Sequence, residues 1–191
     1  MTATDADNTP TAHLRARVGG YVVDMVIFSA ITMVMIVLAG FVLLFSTNWA
    51  EQDASDAQIY AFLAIIGLGV PLVWTFLNLG LLATRGQTAG QYVAGLRLRT
   101  EDGLPLSPRA AATWWFCFNP LLFSWPMALI AGLPLVAVIS LISGRLVFVT
   151  FGVVVTLCIA SPIIAFVSAA VDGQKRALHD RVAGVVAQAA E

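Results

Sequence analysis

With 191 residues, 59% of them hydrophobic and only 11% charged, and with a mean hydropathy of +0.88, the chain reads as an integral membrane protein. An ordinary soluble domain carries about 25% charged residues. A formal net charge of −1 gives no electrostatic case for nucleic acid or for an acidic macromolecular partner. The two cysteines, Cys117 and Cys158, lie apart in apolar surroundings and read as small packing hydrophobes, not as a disulfide or metal ligands.

Met1 to His13 is polar and reads as a disordered tail. Leu14 to Gly20 carries Arg15 and Arg17 into the first apolar run, Gly20 to Phe45. As a helix that run measures roughly 39 Å, enough to cross a hydrocarbon core of about 30 Å with some tilt. It is longer than the apolar core of a signal peptide and no small-x-small cleavage pattern closes it, so it reads as a retained span. Asp24 stands about one turn inside. A carboxylate at mid-membrane costs about 2.5–3.5 kcal/mol on insertion scales, less near the end of a span. Arg17 lies two turns back on nearly the same face, too far for a one-turn ion pair. Each charge is therefore expected to find partners on another segment, and His179, Asp180 and Arg181 near the C-terminus are the candidates.

An acidic loop without Lys or Arg follows, and Ile59 to Ala83 is the second span, with Pro71 at its middle and Asn78 near its end. After Arg85 comes a polar stretch, Gln87 to Gln91. The alternation in Leu96-Arg97-Leu98-Arg99 then predicts a short strand. Asp102-Gly103 is a tight-turn signal, so Leu104-Pro105-Leu106 is expected to return as the edge of a small hairpin. Ser107-Pro108 starts a short helix, Arg109 to Phe118, whose Trp114 and Trp115 suit a position along the membrane interface. Leu121 to Ser143 is the third span, with Pro126 and Pro134, and Leu146 to Val171 is the fourth, with Pro162.

Four spans put nine of the ten basic residues on one side with both termini, leaving only Arg145 opposite. By the positive-inside rule that side is cytoplasmic. A fifth crossing by Arg109–Phe118 would destroy the bias. The expected fold is thus all-α, with four transmembrane helices and a cytoplasmic loop, hairpin plus interfacial helix, between the second and third. One membrane domain covers residues 14–185, with a short C-terminal tail over 186–191.

Three separated pieces together resemble the RDD family of small bacterial membrane proteins. They are Arg17-Val-Gly-Gly-Tyr-Val-Val-Asp24, the glycine-rich stretch from Gly86 through Leu98 with the turn Glu101 to Ser107, and Lys175-Arg-Ala-Leu-His-Asp-Arg-Val-Ala-Gly184. The first carries the family's arginine and first aspartate, and the last carries its second aspartate as Asp180. The chain departs from the pattern at Gln91, where a basic residue is usual, at Thr113, where a further arginine is common, and at Val185, where threonine is typical. These departures weaken a phosphate- or headgroup-binding role for the glycine-rich loop. Some members of the family are associated with cation/proton exchange, and the resemblance implies a bacterial inner-membrane location.

Arg17, Asp24 and Asp180 form the expected polar cluster, either a site for protons, cations or a charged substrate, or a structural clamp tying the C-terminal segment to the first helix. His179, Arg181 and Asn78 are secondary candidates, Asn78 as an interhelical hydrogen bond. The prolines within the spans read as ordinary membrane-helix prolines. No catalytic motif, phosphate-binding loop or zinc pattern is present in the sequence, so neither an enzyme nor a metal or cofactor is expected. Two function classes follow: a small transporter or transport subunit for cations or protons, or a non-catalytic accessory or scaffold subunit of a larger membrane complex. Four short-looped helices enclose little volume alone, so either class favours a homo-oligomer or a partner in the bilayer.

Overall fold

A computed structural model describes residues 14–117, 119–124, 127, 130, 132 and 143–190. The first helix, α1 (Leu14–Ser46), begins a turn and a half before the apolar run, so Arg15 and Arg17 belong to it. The second, α2 (Asp56–Arg85), contains one widened turn at Ile65–Gly69. That turn lies just before Pro71, which has no N–H to give, and a local π-turn is a usual way for a helix to absorb such a residue. Gly86 ends α2 in the left-handed region, at φ 66°, and its N–H closes on the Leu82 carbonyl, a glycine-terminated C-cap.

A short helix, α3 (Ala89–Val93), leads to strand β1 (Leu96–Thr100), and helix α4 (Pro108–Phe116) follows. The third long helix is α5 (Gly144–Val171). The chain then closes with α6 (Leu178–Ala183) and β2 (Val185–Ala189). Among the described residues three helices, α1, α2 and α5, are long and apolar enough to cross a membrane. The expected third span, 121–143, lies mostly outside the described residues, and its first four residues form a turn and not a helix.

Two expectations are corrected. The strand at Leu96 exists, but Leu104–Leu106 is not its partner. β1 pairs antiparallel with β2, with Leu96 opposite Ala189, Leu98 opposite Ala187 and Thr100 opposite Val185. The Asp102-Gly103 turn returns the chain only as far as a bond from Thr100 N–H to the Leu104 carbonyl. The physical reason is burial: Leu96 and Leu98 face the core, where Val185 and Ala187 of β2 meet them, whereas Leu104 is exposed and Pro105 has no donor. Residues 186–189, expected as tail, are therefore strand.

The second correction concerns Trp114 and Trp115. Helix α4 spans nine residues, about 13 Å, and is too short to cross a bilayer. Its tryptophans are not interfacial anchors either, because both are fully buried. Trp115 packs edge-on against Trp74 of α2, which packs edge-on against Phe28 of α1. The Trp74 indole N–H donates to the Leu121 carbonyl. This aromatic column fastens a cap, made of α3, β1, α4, α6 and β2, onto one end of the long helices.

Candidate functional site

Three polar residues of the α1 head lie on one helix face, Arg17, Tyr21 and Asp24 at successive turns, while Arg15 is exposed. Arg17 and Asp24 are both buried, and each is met by a different part of the cap.

Arg17 meets the C-terminal segment. Its Nη1 donates to Asp180 Oδ2, a carboxylate with no exposed surface. Asp180 sits in the first turn of α6, where its side chain reaches back to accept from the Ala177 N–H at 2.9 Å, as the acidic member of a capping box does. Its Oδ1 accepts from the Trp114 indole at 2.7 Å. Beside it, His179 is buried edge-on against Trp114 and shares a 3.0 Å hydrogen bond with the Tyr21 hydroxyl. Burial pushes Asp180 up, but His179, Arg17 and the Trp114 donor outweigh it and hold the carboxyl below its ordinary value. Burial, with Arg17 nearby, holds His179 below its ordinary value against the opposing pull of Asp180.

Asp24 meets the glycine-rich segment. Its Oδ2 accepts from the Thr88 hydroxyl and its Oδ1 from the Gly90 N–H at 2.7 Å. Thr88 is the N-cap of α3: its hydroxyl accepts from the Gln91 N–H, while the Gln91 side chain accepts from the Thr88 N–H. Gly90 is required here by space. A Cβ at that position would overlap the Gly20 carbonyl oxygen and stand 2.6 Å from the Asp24 carboxyl carbon. The backbones of α1 and α3 touch because Gly90 has no side chain; a Cβ on Gly20 would meet the α3 backbone only at ordinary contact distance, 3.4 Å.

The expected cluster is therefore two adjacent sites. Arg17 and Asp180 pair as expected, across 163 positions of sequence. Asp24 has no basic partner among the described residues; its partners are a hydroxyl and a backbone N–H, which corrects the expectation of a C-terminal cation. Arg181 is exposed and outside both sites. Asn78 is buried but donates within its own helix, to the Trp74 carbonyl at 2.9 Å, so it is not the expected interhelical bond. Reading the sequence missed Thr88, Gly90, Trp114 and Tyr21. One signal was available: Thr88-x-x-Gln91 is a capping-box spacing, marking a helix N-terminus whose donors a carboxylate can take.

Among the described residues no group of three or more His, Cys, Asp or Glu is placed to hold a metal. Compared with known proteins, the chain matches the model of the RDD family over residues 11–184. No curated protein and no solved structure matches it.

Proposed function

The chain belongs to the RDD family, and we propose that it is a non-catalytic accessory or scaffold subunit of a larger assembly in a bacterial cytoplasmic membrane. Its polar centre acts as a clamp that locks the cap onto the helices. The observation that carries this reading is the saturation of Asp180: Arg17 and Trp114 donate to it from two elements distant in sequence, and the Ala177 N–H donates from the N-cap of its own helix. A carboxylate so engaged fixes geometry; a carrier site has to release its partners in every cycle. Such a clamp can be essential without chemistry, because removing one partner strands a buried charge. Purification in mild detergent tests the proposal. A stoichiometric, larger membrane partner is the expected result. A self-oligomer that conducts cations in liposomes would replace it.

A second reading, cation or proton transport, is favoured by one observation. Asp24 lies in the first span and, among the described residues, has only neutral donors. Its charge is thus open to neutralisation by a proton or a cation. On this reading Asp24→Asn abolishes pH-dependent flux in liposomes while the protein stays folded. Parent protein without flux, or flux unchanged in the variant, sinks it.

The proposed topology is four crossings with both termini cytoplasmic. It is supported by the nine-to-one basic split and by the meeting of the α1 head, β1, α6 and β2 at one end. Helix α5 ends at that cap and starts about 40 Å away, so the chain after α4 has to travel to the opposite side. Single cysteines at Asp53 and Gly103, with Cys117 and Cys158 replaced, test the orientation on intact cells. An impermeant thiol reagent labels the first and spares the second; the reverse pattern inverts the topology.

A further inference from the structure

We propose that the gap between α1 and α5 is a binding site for one anionic phospholipid of the leaflet on the cap side, with its phosphate on Arg17 and an acyl chain along the groove. The gap is a cavity of about 630 Å³ whose wall is almost wholly apolar, and Arg17 is the one charged residue on that wall among the described residues. Arg17 is 8% exposed, and only its Nη1 is used by Asp180; Nε and Nη2 are buried with no partner among the described residues. The Ser124 hydroxyl, also on the cavity wall, is buried and unpaired in the same sense.

Buried unpaired donors are costly, and a guanidinium edge made of Nε and Nη2 is the fork that takes two oxygens of one phosphate. Both nitrogens are withdrawn from water. A turn of the guanidinium about its bond to Asp180 would present them to the cavity it borders. What suits an anion is the free hydrogen-bonding edge and not a surplus of charge: Asp180 neutralises Arg17 but engages only Nη1, which leaves Nε and Nη2 without an acceptor among the described residues. The dimensions suit a lipid. From Arg17 to Ser29 the α1 wall runs roughly 18 Å, close to the depth of one leaflet of a core about 30 Å thick. The site does not depend on whether the protein is a subunit or a carrier.

The test uses the full chain, purified in mild detergent, stripped of lipid and titrated with phosphatidylglycerol under native mass spectrometry. Saturable binding of one molecule is expected, about tenfold tighter than binding of phosphatidylcholine, which adds a cationic choline to the same phosphate. Arg17→Lys keeps the charge but loses the fork, and should weaken binding. Since Arg17 also holds Asp180, a second variant stays clear of the clamp: Val22→Trp, at an exposed position on the cavity wall, should weaken phosphatidylglycerol binding by about tenfold and leave the lipid-free melting temperature unchanged. Unsaturable binding, equal affinity for the two lipids, or full affinity in Val22→Trp overturns the proposal. So does oleate binding in place of phosphatidylglycerol, which would make the ligand a free fatty acid. A self-dimer that excludes lipid from the groove would assign it to a second copy and overturn it as well.

Discussion

Two regions of this molecule each bury a carboxylate completely, and they satisfy it in opposite ways. At the cap, Asp180 is matched by a cation, Arg17, together with an indole and a backbone N–H. About two turns further along α1, Asp24 is held, among the described residues, by neutral dipoles alone, the Thr88 hydroxyl and the Gly90 N–H. The first arrangement is a charge pair whose halves each become a liability when the other is removed. The second is a helix-capping contact, in which one backbone donor that α3 would otherwise leave unpaired, the Gly90 N–H, is given to a carboxylate. The pair joins the two ends of the chain. The cap joins α1 to the loop after α2.

The comparison is sharpest where a partner is removed. Asp180→Asn leaves the Arg17 guanidinium buried without its counter-ion, and stability in detergent should fall by about 3–5 kcal/mol. Arg17→Met combined with Asp180→Asn should cost less than the sum of the single changes, since neither charge is then stranded. A strictly additive double variant would mean that the pair is not energetically coupled.

Next in size is Gly90→Ala. Because the new Cβ would meet the Gly20 carbonyl oxygen and the Asp24 carboxyl, α3 has to move off α1, at about 1–3 kcal/mol. Gly19→Ala, where nothing lies within 4 Å, is the matching control and should cost nothing measurable. Equal melting temperatures for the two variants would refute the tight helix contact.

Asp24→Asn should be milder than Asp180→Asn, about 1–2 kcal/mol, because no cation is stranded and the amide oxygen can still accept one of the two hydrogen bonds. Combined with Arg17→Met it should be additive to about 0.5 kcal/mol, the two sites being separate. A loss as large as that of Asp180→Asn would point to a charged partner for Asp24.

The smallest effect concerns pH. His179 is held below its ordinary value of 6.5 in the folded protein, so its contribution to stability is complete above 6.5 and is withdrawn as the pH falls below it. Asp180, held below its ordinary 3.8, keeps its contribution down to that value and loses it only on further acidification. Acid melting should therefore begin with His179. His179→Gln should flatten the stability profile just below pH 6.5 and leave the part below 3.8 in place. An unchanged profile in that variant would remove His179 as the first group to titrate.

Much of this was legible from one dimension. The long helices follow from apolar runs that only a bilayer can solvate, and their bounds differ from the expected ones by a few residues. Arg17, Asp24 and Asp180 declare themselves because charge beside an apolar run demands a partner. The sequence by itself also supplied the β1 alternation, the Asp102-Gly103 turn and the start of α4 at Ser107.

Choice among partners was left to the tertiary structure. A two-residue turn is a local signal, but β1 had two possible mates, and the one 85 or more positions away won because it brings Val185 and Ala187 into the core against Leu96 and Leu98. The tryptophans of α4 carry the same composition at an interface or in a core, and only packing against Trp74 and His179 distinguishes the two. Asp24 shows the reason most plainly. Its cost in the membrane is a property of one residue and can be read from the chain. Its remedy needed Gly90 to let the α3 backbone touch α1 at Gly20, and although Thr88-x-x-Gln91 marks a helix start, no local pattern says that this start meets a residue 66 positions away.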